Sequence, residues 1–176
     1  FRRSRGLGDV YKRQHRRNRA TKVSVWGIDP GINGALVHFN PQEGEIDIHD
    51  MPIMEVRGKK TISPNLVAQI LKQHHSPAYI ERVGAMPGQG VTSMFNFGKG
   101  YGIVLGVLAG LEYPINTVTP LEWQKKVAMP KGKDGSRERA CQLAPNYSQY
   151  FARKKDNGRS DAYLIAYYGF SFADNI

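Results

Sequence analysis

The sequence predicts an α/β fold in which one mixed sheet of five strands is flanked by helices. Three strand-like segments come first and are joined by short turns, and the rest of the chain alternates helix and strand. Strands joined by short turns run antiparallel, whereas strands separated by helices run parallel, so a single sheet would contain both kinds of pairing. The chain is also short enough for one domain, since domains commonly contain about 100–150 residues.

The first three strands are predicted at residues 22–28, 34–40 and 45–50. They are rich in β-branched and aromatic residues, and Pro41 to Gly44 supplies the turn between the second and third strands. Residues 51–60 are predicted to form a loop. The start of the chain therefore predicts an antiparallel three-stranded unit.

Helices and strands are predicted to alternate in the rest of the chain, from residue 63 to residue 168. A helix is predicted from Ser63-Pro64 to about residue 73, because proline is favoured in the first helical turn and apolar residues follow at helical spacing. A short strand is predicted at 78–82 and a loop rich in glycine and proline at 84–90. The later predicted elements are a helix at 93–111, a strand at 115–118, and helices at 120–127, 137–143 and 159–168.

The N-terminal segment is excluded from the predicted fold. Ser4 to Gln14 match, without a mismatch, one reading frame of a common transposon-based sequencing adapter. We expect residues 1–20 to be a non-native, disordered leader and 21–176 to be the domain. The first methionine is Met51. We therefore expect the native initiation codon to be missing or not to be AUG.

The chain is basic even without that leader. The formal net charge is +10, and residues 1–14 contribute five basic residues and one acidic residue, which leaves +6. One basic cluster is usually a solvated surface, but several of them together favour a polyanionic partner such as nucleic acid. Lys and Arg cluster at 16–19, 57–60, 125–126, 131–139 and 153–159.

Two features of the sequence bear on membrane association and on the cellular compartment of the protein. The longest apolar stretch, residues 102–111, is too short and too rich in glycine to span a bilayer, so no membrane partner is expected. Cys141 is the single cysteine, which excludes an internal disulfide and suits a reducing, cytoplasmic compartment.

Four acidic residues occupy positions suited to a shared metal site. Asp29 ends the first strand, Glu81 ends the strand at 78–80, and Asp156 and Asp161 flank a turn that opens the last helix. Mg²⁺ prefers such oxygen ligands, and two ions can stabilise the attacking and leaving oxygens of a phosphodiester. Each residue also has a plainer interpretation as a turn residue, a strand-end charge, a first-turn helix charge or one member of a surface ion pair.

Four segments carry a resemblance to a known family. GIDPGINGA, ERVGAMPGQGVTSMFNFGKGYGIVLGVLAGL, TPLEWQK and KKDNGRSDAYLIAYYG resemble the RuvC-like Holliday junction resolvases, especially variants from phages and related bacteria. The resemblance covers about residues 22 to 170 in order. It implies an RNase H-like fold, with Asp29, Glu81, Asp156 and Asp161 as catalytic ligands of two Mg²⁺ ions, for which Mn²⁺ can substitute.

The fourth ligand position departs from the family pattern. In well-known resolvases the penultimate ligand precedes the last aspartate by three positions, which is Gly158 here. Asp156 lies five positions before Asp161, and Asn157 stands where many relatives have histidine. Asp156 is the predicted ligand because it is anionic, but the sequence leaves open whether Asp156 or Asn157 fills the position.

The resemblance also implies DNA contacts and a dimer. The segment that enters the junction centre in resolvases includes Gln89, Phe95, Phe97 and Lys99 here, and the phosphate contacts predicted elsewhere are Lys125, Lys126, Lys131 and Lys133. Phe95 and Phe97 cannot share one helix face, so one is expected to be buried and the other exposed. Gly98, Gly102 and Gly106 recur every four residues on a helix that forms the homodimer in this family.

The expected activity is metal-dependent nicking of four-way DNA junctions by a homodimer. Two alternatives on the same fold are a nuclease for RNA–DNA hybrids or flaps and a catalytically silent junction-binding protein, since a fold alone does not define a substrate. An actin-like ATPase begins with a similar strand and turn, but it is a more distant alternative because no second phosphate loop or adenosine site is apparent in the sequence.

Overall fold

The central sheet has five strands in mixed orientation, as predicted. The structure is a computed structural model that describes residues 24–82, 84, 88 and 90–173. The five strands are β1 (Val25–Asp29), β2 (Ala35–Asn40), β3 (Glu45–Asp50), β6 (Ala78–Glu81) and β7 (Ile115–Val118). Their order in the sheet is β3-β2-β1-β6-β7. The expected leader, residues 1–20, lies outside the described part of the chain.

The pairing of the strands positions two of the predicted site residues. β1 and β2 are antiparallel, and their register ends with Asp29 opposite Ala35. β1 and β6 are parallel, with Ile28 opposite Ile80. Because parallel strands end at the same edge of a sheet, Asp29 and Glu81 emerge side by side.

The described part of the chain also contains five helices and two short 3₁₀ segments. The helices are α1 (Pro64–Leu71), α2 (Val91–Gly110), α3 (Pro120–Lys126), α4 (Gly135–Leu143) and α5 (Asn157–Ser171), and the 3₁₀ segments are Pro145–Tyr150 and Lys154–Asp156. No helix in the described ranges is long and apolar enough to cross a membrane. The last helix begins two residues earlier than predicted, so Asn157 is its first residue.

Alternating side chains of the sheet supply two separate cores. Val25, Val37 and Tyr79 face α5, whereas Trp26 and Ile28 face α1 and α2. α5 lies so close to β1 that a Cβ on Gly27 would stand 2.1 Å from the carbonyl oxygen of Ala162. Glycine at position 27 therefore allows the helix that carries Asp161 to pack directly on the strand that carries Asp29.

The prediction of a loop at 51–60 was wrong, because this region contains a second, two-stranded sheet. β4 (Ile53–Val56) pairs antiparallel with β5 (Lys59–Ile62). Arg57 and Gly58 form the turn, with positive φ angles of 51° and 72°. Both strands are mostly exposed, so they lack the alternation of buried and polar residues from which a half-buried strand is predicted.

Candidate functional site

Asp29 is held at the tip of β1 by a tight turn. Its Oδ1 accepts a hydrogen bond from the Gly31 backbone N–H at 3.1 Å, and Gly34 N–H donates to the Gly31 carbonyl at 2.9 Å. A Cβ on Gly34 would lie 2.2 Å from the Asp29 carbonyl oxygen. The turn can therefore close only with glycine at position 34, and this closure fixes the direction of the Asp29 carboxylate.

Glu81 ends β6 and is oriented by a buried tryptophan. Its Oε1 accepts a hydrogen bond from Trp123 Nε1 at 2.9 Å, and Trp123 is 1 % exposed. Trp123 lies on α3, which begins with a capping box between Thr119 and Glu122. A well-capped helix thus holds the group that positions the Glu81 carboxylate.

Asp161 approaches the same edge of the sheet from the beginning of α5. It lies in the second turn of the helix and is half-buried. The hydroxyl of Ser136, near the beginning of α4, donates a hydrogen bond to its carboxylate. Two strand ends and one helix therefore deliver three carboxylates to one region.

These three carboxylates share an electrostatic environment that opposes their ionisation. Burial raises the pKa of Asp29 to about 6. The hydrogen bond from Gly31 lowers this pKa, and the negative charge of Glu81 raises it further. Burial and the charge of Asp29 raise the pKa of Asp161 to about 7. Burial also raises the pKa of Glu81, although the Trp123 hydrogen bond opposes it. Among the described residues, none of the three is in an ion pair, so their repulsion is not compensated by the protein.

Asp156 lies in a different environment. It is 1 % exposed, and its Oδ2 accepts hydrogen bonds from the backbone N–H and Nε of Arg153 at 2.9 and 3.0 Å. Arg159 approaches Oδ1 at 3.6 Å. Burial alone would raise the pKa of Asp156, but the hydrogen bonds and charges of the two arginines outweigh it and lower that pKa. Its negative charge is therefore already neutralised by the protein.

Arg159 also connects this corner to the sheet. Its Nε and Nη2 donate to the two carboxylate oxygens of Asp50 at 2.6 and 2.7 Å. Hydrogen bonds and the charge of Arg159 lower the pKa of Asp50 despite its partial burial. The Arg159–Asp50 pair holds the end of β3 against the first turn of α5. Its two parallel hydrogen bonds fix the orientation of the guanidinium relative to the carboxylate.

Asn157 differs from its neighbour Asp156 in having an unsatisfied oxygen. Its Oδ1 is buried and has no hydrogen-bond partner among the described residues. Because Asn157 lies four residues before Asp161 on α5, the two side chains lie on the same helix face. A buried acceptor without a donor is costly and rare, and a bound cation or an ordered water is one way to satisfy it.

The donor set fits a divalent cation that prefers oxygen. Within residues 24–82, 84, 88 and 90–173, no three His, Cys, Asp or Glu side chains already stand together as a metal-ligand set. The site instead offers three carboxylates whose charges repel one another and a neutral buried oxygen nearby. A divalent cation bound by Asp29, Glu81 and Asp161 would relieve that repulsion.

The predicted aromatic residues of α2 are both outside the core. Phe95 is 70 % exposed and Phe97 is 36 % exposed. The expectation that one of them is buried was wrong, because both lie in the first two turns of α2, whereas the buried residues of that helix are Gly100, Val104 and Leu108. Lys99 is exposed on the same segment, whereas Gln89 lies outside the described residues.

The remaining predicted contact residues lie on open surfaces. The predicted phosphate-binding lysines Lys125, Lys126, Lys131 and Lys133 are all exposed. A Cβ built on any of the three stripe glycines, Gly98, Gly102 and Gly106, would meet no described atom within 4 Å. The glycine stripe therefore has no packing role against the described residues of its own chain.

Two contributors to the site were not predicted from the sequence. Trp123 and Ser136 bind the carboxylates of Glu81 and Asp161, respectively. The segment Thr119-Pro120-Leu121-Glu122 does predict a capped helix start, which places Trp123 on a helix, but not against Glu81. That contact depends on how α3 packs against α5.

The sheet order and the positions of the three carboxylates define the class of this structure. It is an RNase H-like fold of the RuvC type, as the resemblance implied. The structure matches T. thermophilus RuvC in complex with a Holliday junction substrate with a TM-score of 0.57 and 14% identity, over 84% of this chain and 94% of that one. It matches the yeast mitochondrial Holliday junction resolvase Ydc2 with a TM-score of 0.51 and 15% identity, over 92% and 83% of the two chains.

A relative found by sequence comparison is also named as a Holliday junction resolvase. The chain is 31% identical over 90 residues to the chloroplastic Holliday junction resolvase MOC1 of Chlamydomonas reinhardtii. The match covers 50% of this chain but spans only 10% of the length of that relative. No protein-family model matches the sequence.

Proposed function

We propose that this protein is a metal-dependent endonuclease that nicks four-way DNA junctions. The observation that carries the proposal is the cluster of three uncompensated carboxylates, Asp29, Glu81 and Asp161, at one edge of a RuvC-type sheet. The chain resembles RuvC, solved in complex with a Holliday junction substrate, and two Holliday junction resolvases, Ydc2 by structure and MOC1 by sequence. The net positive charge of the chain supports a polyanionic substrate.

The chemistry assigns a role to each carboxylate. Asp29, on the tip of β1, would hold the cation from the strand side, and Asp161 would hold it from the helix side. Glu81, oriented by Trp123, would complete the set. Mg²⁺ is the proposed cofactor, as two ions that Mn²⁺ could replace. When bound, it would supply a water of lowered pKa and would neutralise charge on the scissile phosphate.

The fourth ligand position is a choice between two adjacent residues. Asp156 is the anionic candidate, but its carboxylate is bound by Arg153 and Arg159. Asn157 is neutral, but its Oδ1 is buried, free of any hydrogen bond from the described residues and on the helix face of Asp161. These contacts favour Asn157 as the residue that faces the cation, with Asp156 shaping the start of α5.

Single-turnover cleavage separates the two candidates. If Asp156 is a ligand, Asp156→Asn slows cleavage by orders of magnitude and high Mn²⁺ partly restores it, while Asn157→Ala has much less effect. If Asn157 is the ligand, the ranking is reversed. Asn157→Asp is the matched variant, since it adds an anionic oxygen at the same position and should retain metal-dependent cleavage.

A panel of substrates tests the proposed activity against its alternatives. The panel contains a four-way junction, a flap, a linear duplex and an RNA–DNA hybrid, each with and without Mg²⁺. Symmetric nicking of the four-way junction alone supports the proposal. Preferential cleavage of the hybrid or the flap would assign the protein to another nuclease class, and tight junction binding without cleavage would indicate a silent binding protein.

The protein is further proposed to act as a homodimer through α2. Gly98, Gly102 and Gly106 form a stripe that is open on the described surface, and such small residues allow two helix backbones to approach closely. Gly102→Leu should separate the dimer, as measured by light scattering, with circular dichroism confirming that the helix content is unchanged. An unaltered dimer mass would assign the stripe no part in association.

A further inference from the structure

A second surface, beside the carboxylates, has the character of an anion-binding groove. It lies between β5 and the first half of α2 and encloses about 340 Å³. Three lysines contribute to its lining, Lys59 and Lys60 from β5 and Lys99 from α2. The side chains of Asn96 and Thr61 add neutral hydrogen-bonding groups.

The groove has no negative charge of its own. None of the described residues that line it is acidic. Glu55 is opposite Lys60 in the β4–β5 pairing but does not line the groove. The three lysines give this part of the surface a positive charge, which favours binding of an anion.

The groove is connected to the turn that presents Asp29. Ile32, three residues after Asp29, lines one side of the groove. A Cβ on Gly100 would stand 3.1 Å from Ile62 Cδ1 and 3.4 Å from the Pro30 carbonyl oxygen, so α2 packs tightly on both β5 and this turn. A ligand held in the groove would therefore keep a defined position relative to the carboxylates.

We propose that this groove binds the sugar–phosphate backbone of a DNA arm and holds it beside the carboxylate cluster. The inference rests on the proposed function and adds the β4–β5 hairpin to the DNA-binding surface. The lysines and Asn96 would contact phosphate oxygens, and the apolar side chains of Ile32 and Val56 would lie against deoxyribose. Phosphate contacts of this kind position a duplex without reading its sequence.

Two neighbouring features favour a nucleic-acid strand over an isolated anion. The turn at the tip of the hairpin carries a further exposed cation, Arg57. Phe95, 70 % exposed, precedes Asn96 on α2 and offers a flat ring on which a base can stack. Together they suit a polymer with both phosphates and bases.

The test measures binding of a fluorescent four-way junction without cleavage. Lys59→Glu/Lys60→Glu is prepared in the Asp161→Asn background, and dissociation constants are determined by anisotropy at several salt concentrations. We expect affinity to fall by roughly tenfold or more, and the salt dependence to lose about one unit of slope for each phosphate contact removed. Lys59→Gln/Lys60→Gln should show a smaller loss of the same kind.

Lys72→Glu is the matched control. Lys72 is exposed and directly follows α1. The backbone carbonyl of His74, two residues later, accepts a hydrogen bond from Trp26 near the beginning of β1. Asp29 lies at the other end of that strand. The variant makes the same change in charge per residue, so it measures the effect of net charge alone. Lys60→Glu is prepared as a single variant for this comparison. Equal losses of affinity in Lys72→Glu and Lys60→Glu, or unchanged affinity in the double variant, overturn the groove proposal.

The outcomes also separate this inference from the proposed activity. If the wild-type protein binds junctions without cleaving any substrate and the double variant binds weakly, the groove is supported and the nuclease function fails. If the wild-type protein cleaves junctions and the double variant binds as tightly as its parent, the groove alone fails. A wild-type protein that binds no DNA overturns both.

Discussion

Two groups of carboxylates lie at the same end of the molecule and differ in how the protein treats their charge. Asp156 and Asp50 are bound by Arg153 and Arg159, and their pKa values are lowered. Asp29, Glu81 and Asp161 have no cationic partner among the described residues, and their pKa values are raised. Burial opposes ionisation in both groups, so the difference comes from the arginines. A carboxylate that is paired with an arginine contributes to the fold, whereas a carboxylate without a cationic partner can bind a cation.

The largest expected effect is the loss of cleavage on removal of an uncompensated carboxylate. Asp161→Asn, Asp29→Asn or Glu81→Gln should each slow single-turnover junction nicking by on the order of 100-fold or more, because the transition state loses a ligand of its cation. Junction affinity should change little, since it depends mainly on phosphate contacts. A variant that cleaves at a near-native rate removes that residue from the site.

The raised pKa values predict a strong dependence of metal binding on pH. Asp161 and Asp29, with pKa values of about 7 and about 6, must lose their protons before they can bind a cation. At subsaturating Mg²⁺, cleavage should fall as pH decreases from about 8 to about 6, by roughly tenfold per pH unit for each proton involved. Higher Mg²⁺ should shift the fall to lower pH. A pH profile that does not respond to Mg²⁺ concentration would contradict the assignment of these carboxylates as ligands.

The same shifts predict opposite stability effects in the two groups. In the metal-free protein, Asp161 binds a proton more tightly when folded than when unfolded, so stability falls as pH rises from its ordinary pKa of 3.8 through about 7. Asp161→Asn should therefore raise the melting temperature at a pH of about 8. Asp156→Ala should instead lower stability by roughly 1–3 kcal/mol, because Arg153 loses a charge-assisted hydrogen bond. Thermal unfolding measures the first effect and chemical denaturation the second, both with a chelator present.

The smallest expected effect concerns the orientation of Glu81. Trp123→Phe removes the indole N–H that donates to Glu81 Oε1 but retains most of the buried ring. Loss of such an orienting hydrogen bond typically reduces metal affinity by about 10–100-fold, and we expect the lower end of that range. Isothermal titration with Mn²⁺ in the absence of DNA measures this change directly. If affinity is unaffected, Trp123 serves only as a core residue.

The sequence alone was sufficient for the mixed sheet and for three of the carboxylate positions. β1 and β6 are short, apolar strands with a carboxylate at the end, and parallel pairing follows from the intervening helix, so convergence of Asp29 and Glu81 at one edge was predictable. Asp161 was predictable from its place at the start of an apolar helix. Local patterns and simple topology therefore place these residues at one edge of the sheet, whereas their role as metal ligands stays a prediction.

Tertiary structure decided which charges are neutralised and which surfaces are open. The pairing of Arg159 with Asp50, 109 positions away in the chain, and of Glu81 with Trp123 depends on how α5 and α3 pack, and no local pattern encodes it. The β4–β5 hairpin was not predicted because its strands bury almost no apolar face, so it lacks the periodicity that identifies other strands. Side-chain pairing across a fold reflects distances that only the folded chain creates, whereas strand order and helix starts reflect preferences of neighbouring residues.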